Sequence, residues 1–435
     1  MVRLRQLLDG LLHRLLFVPI LAMVLAIGLS QLTILIDDHL GSSQLPQVLQ
    51  TTIDNARSIL SSIAGGLITA ITLLLSLIMV TVQLASSQFS PRALRNWFGD
   101  RTLQFVIGMV LGTTVFCLLI LRQTRSFSDA TAVVPNVSVI VALVLGIFSL
   151  VAMVVAVDHM TNSLRVGSVT ARLHAATVHL IEERSSNGSA PVAPTHRAAA
   201  SDLPSGAVAI ESSASGWIQQ ISTARLADAI SDGSCIWLAN PVGAFVTERA
   251  PLAWVVPTPE DAEEVGSAVR SAFALGDTRT MQEDIGFGIL QLVDIAVRAL
   301  SPGVNDPNTA NDVITHLGAV MTVLWERPAE SGVIEDRDRT VVIPVLDHAA
   351  YLHAAFDQIR RYGVQDVDVA LTMMRTLGSL RDEAVRRHLP GPVGPIDEVR
   401  QEVLDSVRSA VPATFDLHLV NAMADEERVR QCRSA

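Results

Sequence analysis

ILSSIAGGLITAITLLLSLIMVTVQL, residues 59–84, is the stretch that decides the fold class, because it is too long and too continuously apolar for an ordinary soluble helix. A run of about 20 apolar residues crosses about 30 Å of hydrocarbon. Three further runs of this kind occupy residues 15–36, 103–121 and 137–157. They predict an all-α, four-helix transmembrane bundle over residues 1–160. The first run follows Arg3, Arg5 and Arg14, like a signal peptide, but its apolar core exceeds the ~7–15 residues of a signal segment and reads as a retained span.

Composition agrees. Of 435 residues, 49% are hydrophobic, and the apolar excess falls almost entirely before about residue 160. Mean hydropathy is +0.40. The remaining roughly 250 residues suffice for one large core or two smaller ones. The net charge of −11 argues against a nucleic-acid partner, which would need a basic stripe. Every basic residue other than histidine is arginine; the absence of lysine removes Walker-type phosphate binding, Schiff-base chemistry and biotin or lipoate carriage. Cys117, Cys235 and Cys432 form no CxxC pair, so neither a zinc knuckle nor a disulfide framework is indicated.

Arginine placement sets the expected orientation. Arg3, Arg5 and Arg14 precede span one, Arg92, Arg95 and Arg101 fill the loop between spans two and three, and Arg165 and Arg172 follow span four. The opposite loops hold Asp37, Asp38, Asp54 and Arg57, then Arg122, Arg125 and Asp129. Both termini and the second half of the chain are therefore expected on the cytoplasmic side of a cell (inner or plasma) membrane.

Span two carries the most informative pattern. Ser58, Ser62, Gly65, Thr69, Thr72, Ser76, Met79, Gln83, Ser86 and Ser90 recur at alternating spacings of four and three, which places them on one helix face. The opposite face holds Leu67, Leu74, Leu75 and Ile78. Two readings stay open: close packing of membrane helices through small and hydroxyl residues, or a solute path lined by this face in a homo-oligomer. In the second reading Arg92 and Arg95 would ring the cytoplasmic mouth, although the positive-inside rule explains them without a pore. Ser90-Pro91 resembles an N-cap and first-turn proline opening a short interfacial helix over 92–98. Gly108 and Gly112 in span three, and Ala142, Gly146 and Ser149 in span four, make further small-residue faces. No charged residue lies deep in a span, which speaks against a proton pump or charge-coupled transporter. Asp158 and His159 sit where span four leaves the membrane and read as interfacial.

After a connecting helix and linker over 161–205, the chain is expected to form a cytoplasmic α+β domain. Short β-type stretches punctuated by Gly216, Asn240, Pro241 and Gly243 predict a small β-rich module over 206–257, with a short helix over 223–230. Pro241 to Val246 followed by Pro251-Leu252-Ala253 resembles half of a biotinyl/lipoyl-type barrel-sandwich without its lysine. From 258 to 435 a helical bundle is predicted, with helices over 260–275, 281–300, 308–325, 348–362, 367–388, 396–411 and 416–430 and one brief strand over 341–346.

The turn between the helices at 281–300 and 308–325 is the candidate soluble site. Asn305, Asp306 and Thr309 stand where first-turn N–H groups would hold an anion or carbonyl, and the same residues equally describe a well-capped hairpin. Asp294 and Arg298 lie one turn apart before it. His174 and His179, and His348 and His353, are five apart, not the i, i+4 of a paired ligand site, so no metal or cofactor is expected. GxSxG, Walker and GxGxxG signatures are missing, and the reading leans away from an enzyme.

QLVDIAVRALSPGVNDPNTA at 291–310, ASSQFSPR at 85–92 and FDQIR at 356–360 together resemble a bacterial family of predicted membrane proteins, domain of unknown function 2254. The resemblance implies four membrane helices and a soluble domain, and it carries over no catalytic residue. The function expected from the residues is an oligomeric, channel-like protein whose partners are the bilayer, its own copies and an ion or small solute. The alternative is a membrane-anchored sensor or scaffold whose second domain binds a partner or small ligand.

Overall fold

Backbone N–H and C=O groups in hydrocarbon can be satisfied only within the segment, so apolar runs of this length are expected to be helical throughout. In the computed structural model they are: α1 Phe17–Leu40, α2 Ile53–Gln88, α3 Arg101–Ser126 and α4 Asn136–Ser163. All four are long and apolar enough to cross a membrane. The structure describes residues 17–40, 51–88, 101–126, 135–163, 166–186, 206–326 and 332–410. The expected helices over 92–98 and 416–430 lie outside them. The chain divides into two units, Met1–Arg165 and Val166–Ala435.

In the first unit α3 is the most buried helix and packs against α1, α2 and α4. Its glycines permit this. A Cβ at Gly108 would lie 3.3 Å from the Val18 carbonyl oxygen, and one at Gly112 would lie 3.2 Å from that of Ala22. A Cβ at Gly146 of α4 would meet Ile63 of α2 at 3.3 Å. The buried hydroxyls of Thr113 and Ser149 bond each other at 3.0 Å between α3 and α4. The small faces of spans three and four thus meet the chain's own helices.

Asp37 has a role that its position in the sequence does not reveal. It is buried in the last turn of α1 and accepts from the N–H groups of Val137 and Ser138 at 2.8 and 3.0 Å and from the Ser138 hydroxyl at 2.7 Å. One helix therefore supplies the anion that caps the N-terminus of another. Beside it, Asn136 Oδ1 accepts from the N–H of Thr51 at 2.8 Å.

The second unit opens with α5 Val166–Ser186. It continues through β1 Val208–Glu211, β2 Gly216–Ile221, α6 Thr223–Asp228, β3 Cys235–Leu238, β4 Phe245–Val246, β5 Pro251–Val256, α7 Ala262–Ser271 and β6 Phe273–Gly276. Helices α8 Ile285–Ala299 and α9 Pro307–Trp325 follow, then β7 Val333–Asp336, β8 Arg339–Val342, α10 His348–Gly363, α11 Val367–Arg386 and α12 Pro390–Ala410. One sheet has strand order β1-β5-β3-β8-β7, antiparallel except for the β3–β8 pair, and the other has order β4-β2-β6. Ile218, Ile236, Leu252 and Val255 share one core with Leu226 and Val269 of the small helices.

Several expectations change here. Strands do not stop at 257: β6 forms from the end of the helix expected over 260–275, because Phe273 to Gly276 pair antiparallel with β2. The brief strand expected over 341–346 ends at Val342, two residues before Pro344, and is one arm of a hairpin. Pro241 to Val246 joins one sheet and Pro251–Val256 the other, so the two halves of the barrel-sandwich resemblance do not form one module. Nor is α5 merely a connector, since it packs on α8 and α9.

Aspartate opens five helices of this unit: Asp261, Asp284, Asp306, Asp347 and Asp366 each accept first-turn N–H bonds, before α7 to α11 respectively. Asp284 also receives Arg279 at 2.5 and 3.0 Å, and the guanidinium lies 5.3 Å from the centroid of the Phe287 ring. Part of the acidic excess is therefore structural.

Asp37→Ala strips three hydrogen bonds from the start of α4 and should destabilise the first unit by ~1–3 kcal/mol, with Asp37→Asn less damaging. Thermal unfolding of the full chain in detergent, wild type against both variants, measures the order.

Candidate functional site

The heptad-like spacing of α2 generates two faces with different surroundings. Ala56, Leu60, Ala64, Leu67, Ile71, Leu74, Ile78 and Thr81 are buried, and α2 packs on α3 and α4. Ser58, Ser62, Gly65, Thr69, Thr72, Ser76, Met79 and Gln83 are all exposed. Leu75, expected with the apolar face, is exposed as well. A Cβ at Gly65 or Gly66 would meet nothing within 4 Å, the opposite of Gly108, Gly112 and Gly146. The stripe of span two is thus turned away from the chain's own bundle.

Its chemistry is dipolar. The Thr69 hydroxyl donates to the Gly65 carbonyl at 3.0 Å and that of Thr72 to Ile68 at 2.8 Å, which satisfies each proton within the helix and leaves the oxygens as outward acceptors. No ionisable side chain lies between Ser58 and Gln83. Beside the stripe α2 also exposes Ile68, Leu73, Leu77 and Val80, while α4 exposes Val144, Ile147, Phe148, Val151, Val154 and Val155, a surface suited to lipid tails. The side chain of Ser86, and Ser90, Arg92 and Arg95, lie outside the described residues.

The second candidate is the turn from α8 into α9. Asn305 takes a left-handed conformation, φ +50°, and its N–H donates to the Ser301 carbonyl at 2.9 Å, while that of Asp306 donates to Ala299 at 2.8 Å. Asp306 then caps α9, with Pro307 in its first turn. One carboxylate oxygen accepts from the Thr309 N–H at 3.1 Å and the other from the Thr309 hydroxyl at 2.6 Å. Those hydrogen bonds, the hydroxyl's first, hold the carboxyl of Asp306 below the usual aspartate range. The turn already carries its own anion at the helix N-terminus, and Asn305 projects into solvent beside it.

The model of the family described as "Predicted membrane protein (DUF2254)" matches residues 13–379. The chain belongs to this family. Among curated proteins it is similar to the uncharacterized protein Mb1321c of Mycobacterium bovis and to the uncharacterized proteins MT1328 and Rv1290c of Mycobacterium tuberculosis. Each is 29% identical over 391 residues, covering 88% of this chain and 74% of the relative. No solved structure matches.

Placed on the fold, the DUF2254 signature at 291–310 is the second half of α8, the turn and the first residues of α9. The FDQIR segment lies on α10, where Phe356 and Ile359 are fully buried and Arg360 reaches Glu402 at 2.8 Å and Ser406 at 3.0 Å on α12. Two groupings escape sequence reasoning because they join distant segments. Glu283 accepts from the Ile221 N–H at 3.2 Å while its carbonyl receives Arg184, and burial pushes its carboxyl up. His174 of α5 meets His316 of α9 across 142 residues of chain. No cluster of metal-ligating side chains occurs among the described residues.

Asp306→Ala should lower the stability of the second unit by ~1 kcal/mol at neutral pH. Because the folded carboxyl sits low, its contribution is complete above the ordinary aspartate value of about 3.9 and fades as pH falls below it. The deficit of the variant in thermal unfolding should therefore shrink below about pH 4.

Proposed function

We propose that the protein assembles in the membrane as a homo-oligomer around its second spans, whose polar faces line a path for ions or small polar solutes. The observation that carries this reading is the exposure of the whole stripe from Ser58 to Gln83 while the small-residue faces of spans three and four are buried in the bundle. At 1.5 Å per residue the stripe runs about 37 Å, enough to traverse about 30 Å of hydrocarbon. Leaving it against lipid wastes hydroxyl and amide groups that water or a second copy can engage. Gly65 and Gly66 leave room for the close approach of another backbone.

The chemistry of the face defines the kind of path. Hydroxyl oxygens offer partial negative charge without a fixed anion, which suits a solute that sheds little of its water and is not bound tightly. Coupled proton transport is not part of the proposal, because the stripe holds no ionisable group.

Purified protein in planar bilayers tests the reading. Wild type should conduct, and Thr72→Leu and Ser76→Leu should each cut the conductance several-fold without changing the helical content. A silent wild type, or conductance unaltered in both variants, contradicts the path.

A further inference from the structure

Two residues separate the end of α4 at Ser163 from the start of α5 at Val166, and α5 packs on α8 and α9 within the second unit. At its contact with α9 the rings of His174 and His316 stand 4.9 Å apart, inclined by 57°. His174 Nδ1 lies 3.3 Å from the backbone carbonyl of His316. That bond requires the proton on Nδ1, which leaves Nε2 as the atom that takes a second proton.

We infer that the His174–His316 pair is an acid-responsive latch: both rings neutral, it holds α5 on α9, and protonation drives the two helices apart. The surroundings offer the charged pair little compensation. From α9, Asp312 stands 3.9 Å from His316 Nε2 and can balance an imidazolium there. From α8, the facing element near this level is Gly288 against Thr177; Asp294 and Arg298 of that helix do not act on the charge of His174. On α5 itself, His179 pairs with Glu183 at 3.6 Å, and Arg172 donates to the Ser168 carbonyl. Among the described residues no carboxylate pairs with His174.

Burial first, and His316 second, lower the affinity of His174 for a proton. A histidine whose folded value is depressed gives its full stabilisation above the ordinary value of about 6.5 and loses it as pH falls through the lower, folded one. The latch is therefore closed at neutral pH and opens in mild acid. A metal site is a poorer use of these rings, since no group of three His, Cys, Asp or Glu side chains able to hold a metal ion occurs among the described residues and His174 Nδ1 is turned to a carbonyl. What the latch releases is the helix that the chain enters immediately after span four.

Hydrogen exchange on the full chain in detergent, followed in peptides covering 166–186, tests the inference. Protection factors, which remove the intrinsic pH dependence of exchange, should fall several-fold between about pH 7.5 and about pH 5.5 in wild type. His174→Gln keeps a side-chain donor for the His316 carbonyl but cannot be charged. It should match wild type at the higher pH and lose the acid response. Unchanged protection of α5 in wild type overturns the inference, and so does an acid response that persists undiminished in His174→Gln. Should that variant not fold, His316→Gln, which also removes one of the two charges, is judged by the same criterion.

Discussion

A polar group in hydrocarbon has no water to turn to, and this constraint sorts every face of the first unit. It makes the four spans helical, and it sends the hydroxyls of Thr69 and Thr72 back onto their own carbonyls. It also turns the carboxylate of Asp37 onto the bare N–H groups at the start of α4 and pairs Thr113 with Ser149 inside the bundle. Large aliphatic side chains on α1 and α4 are left for the lipid. The outward face of α2 is mixed: its small and polar stripe runs beside exposed Ile68, Leu73, Leu75, Leu77 and Val80. In the proposed assembly the stripe, which the chain's own helices do not cover, meets another copy of the same surface or water held between copies.

The second unit is governed by a different economy. Five of its helices begin on aspartate, and the three-stranded sheet is tied to the segment leading into α8 by Glu283, which accepts from the Ile221 N–H of β2. A Cβ at Gly243, whose φ is +87°, would fall 2.0 Å from the Asp284 carboxylate, so the β3–β4 turn is seated directly on that cap. The signature turn at Asn305 belongs to the same scheme, and capping accounts for Asp306, Pro307 and Thr309 together. Against this background the histidine pair between α5 and α9 stands apart, because packing alone does not call for two ionisable rings in contact.

The spans were legible in the sequence because hydropathy is a local property, and the periodicity of span two fixed which residues share a face. Which way that face turns is decided by α3 and α4 and is not written in α2. The Asp306-Pro307 cap was equally plain, since residues and their spacing coincide with the structure they form. Strand β6 was hidden because Phe273 to Gly276 continue the apolar period of the helix before them, and only pairing with β2 extends them. The β7–β8 hairpin was hidden by its turn, Arg337-Asp338, where Arg337 adopts φ +57° without the Asn-Gly or Asp-Gly signal. Prolines at 390, 392 and 395 made the last described helix read as starting at 396, whereas they occupy its opening turns. Asp37 and the His174–His316 pair depend on contacts across about 100 or more residues, which no local pattern contains.

The central claim is that the polar face of span two meets its counterpart on a second copy. Single cysteines placed along α2, in a chain whose Cys117, Cys235 and Cys432 have been replaced, would report this directly through oxidative cross-linking in membranes. Cross-linked dimers should peak at positions 62, 69, 72 and 76 and be weak at 60, 67, 74 and 78, following the helix period. Cross-linking that shows no such period, or that favours cysteines at Val24 of α1 and Val154 of α4 over those on α2, would contradict it.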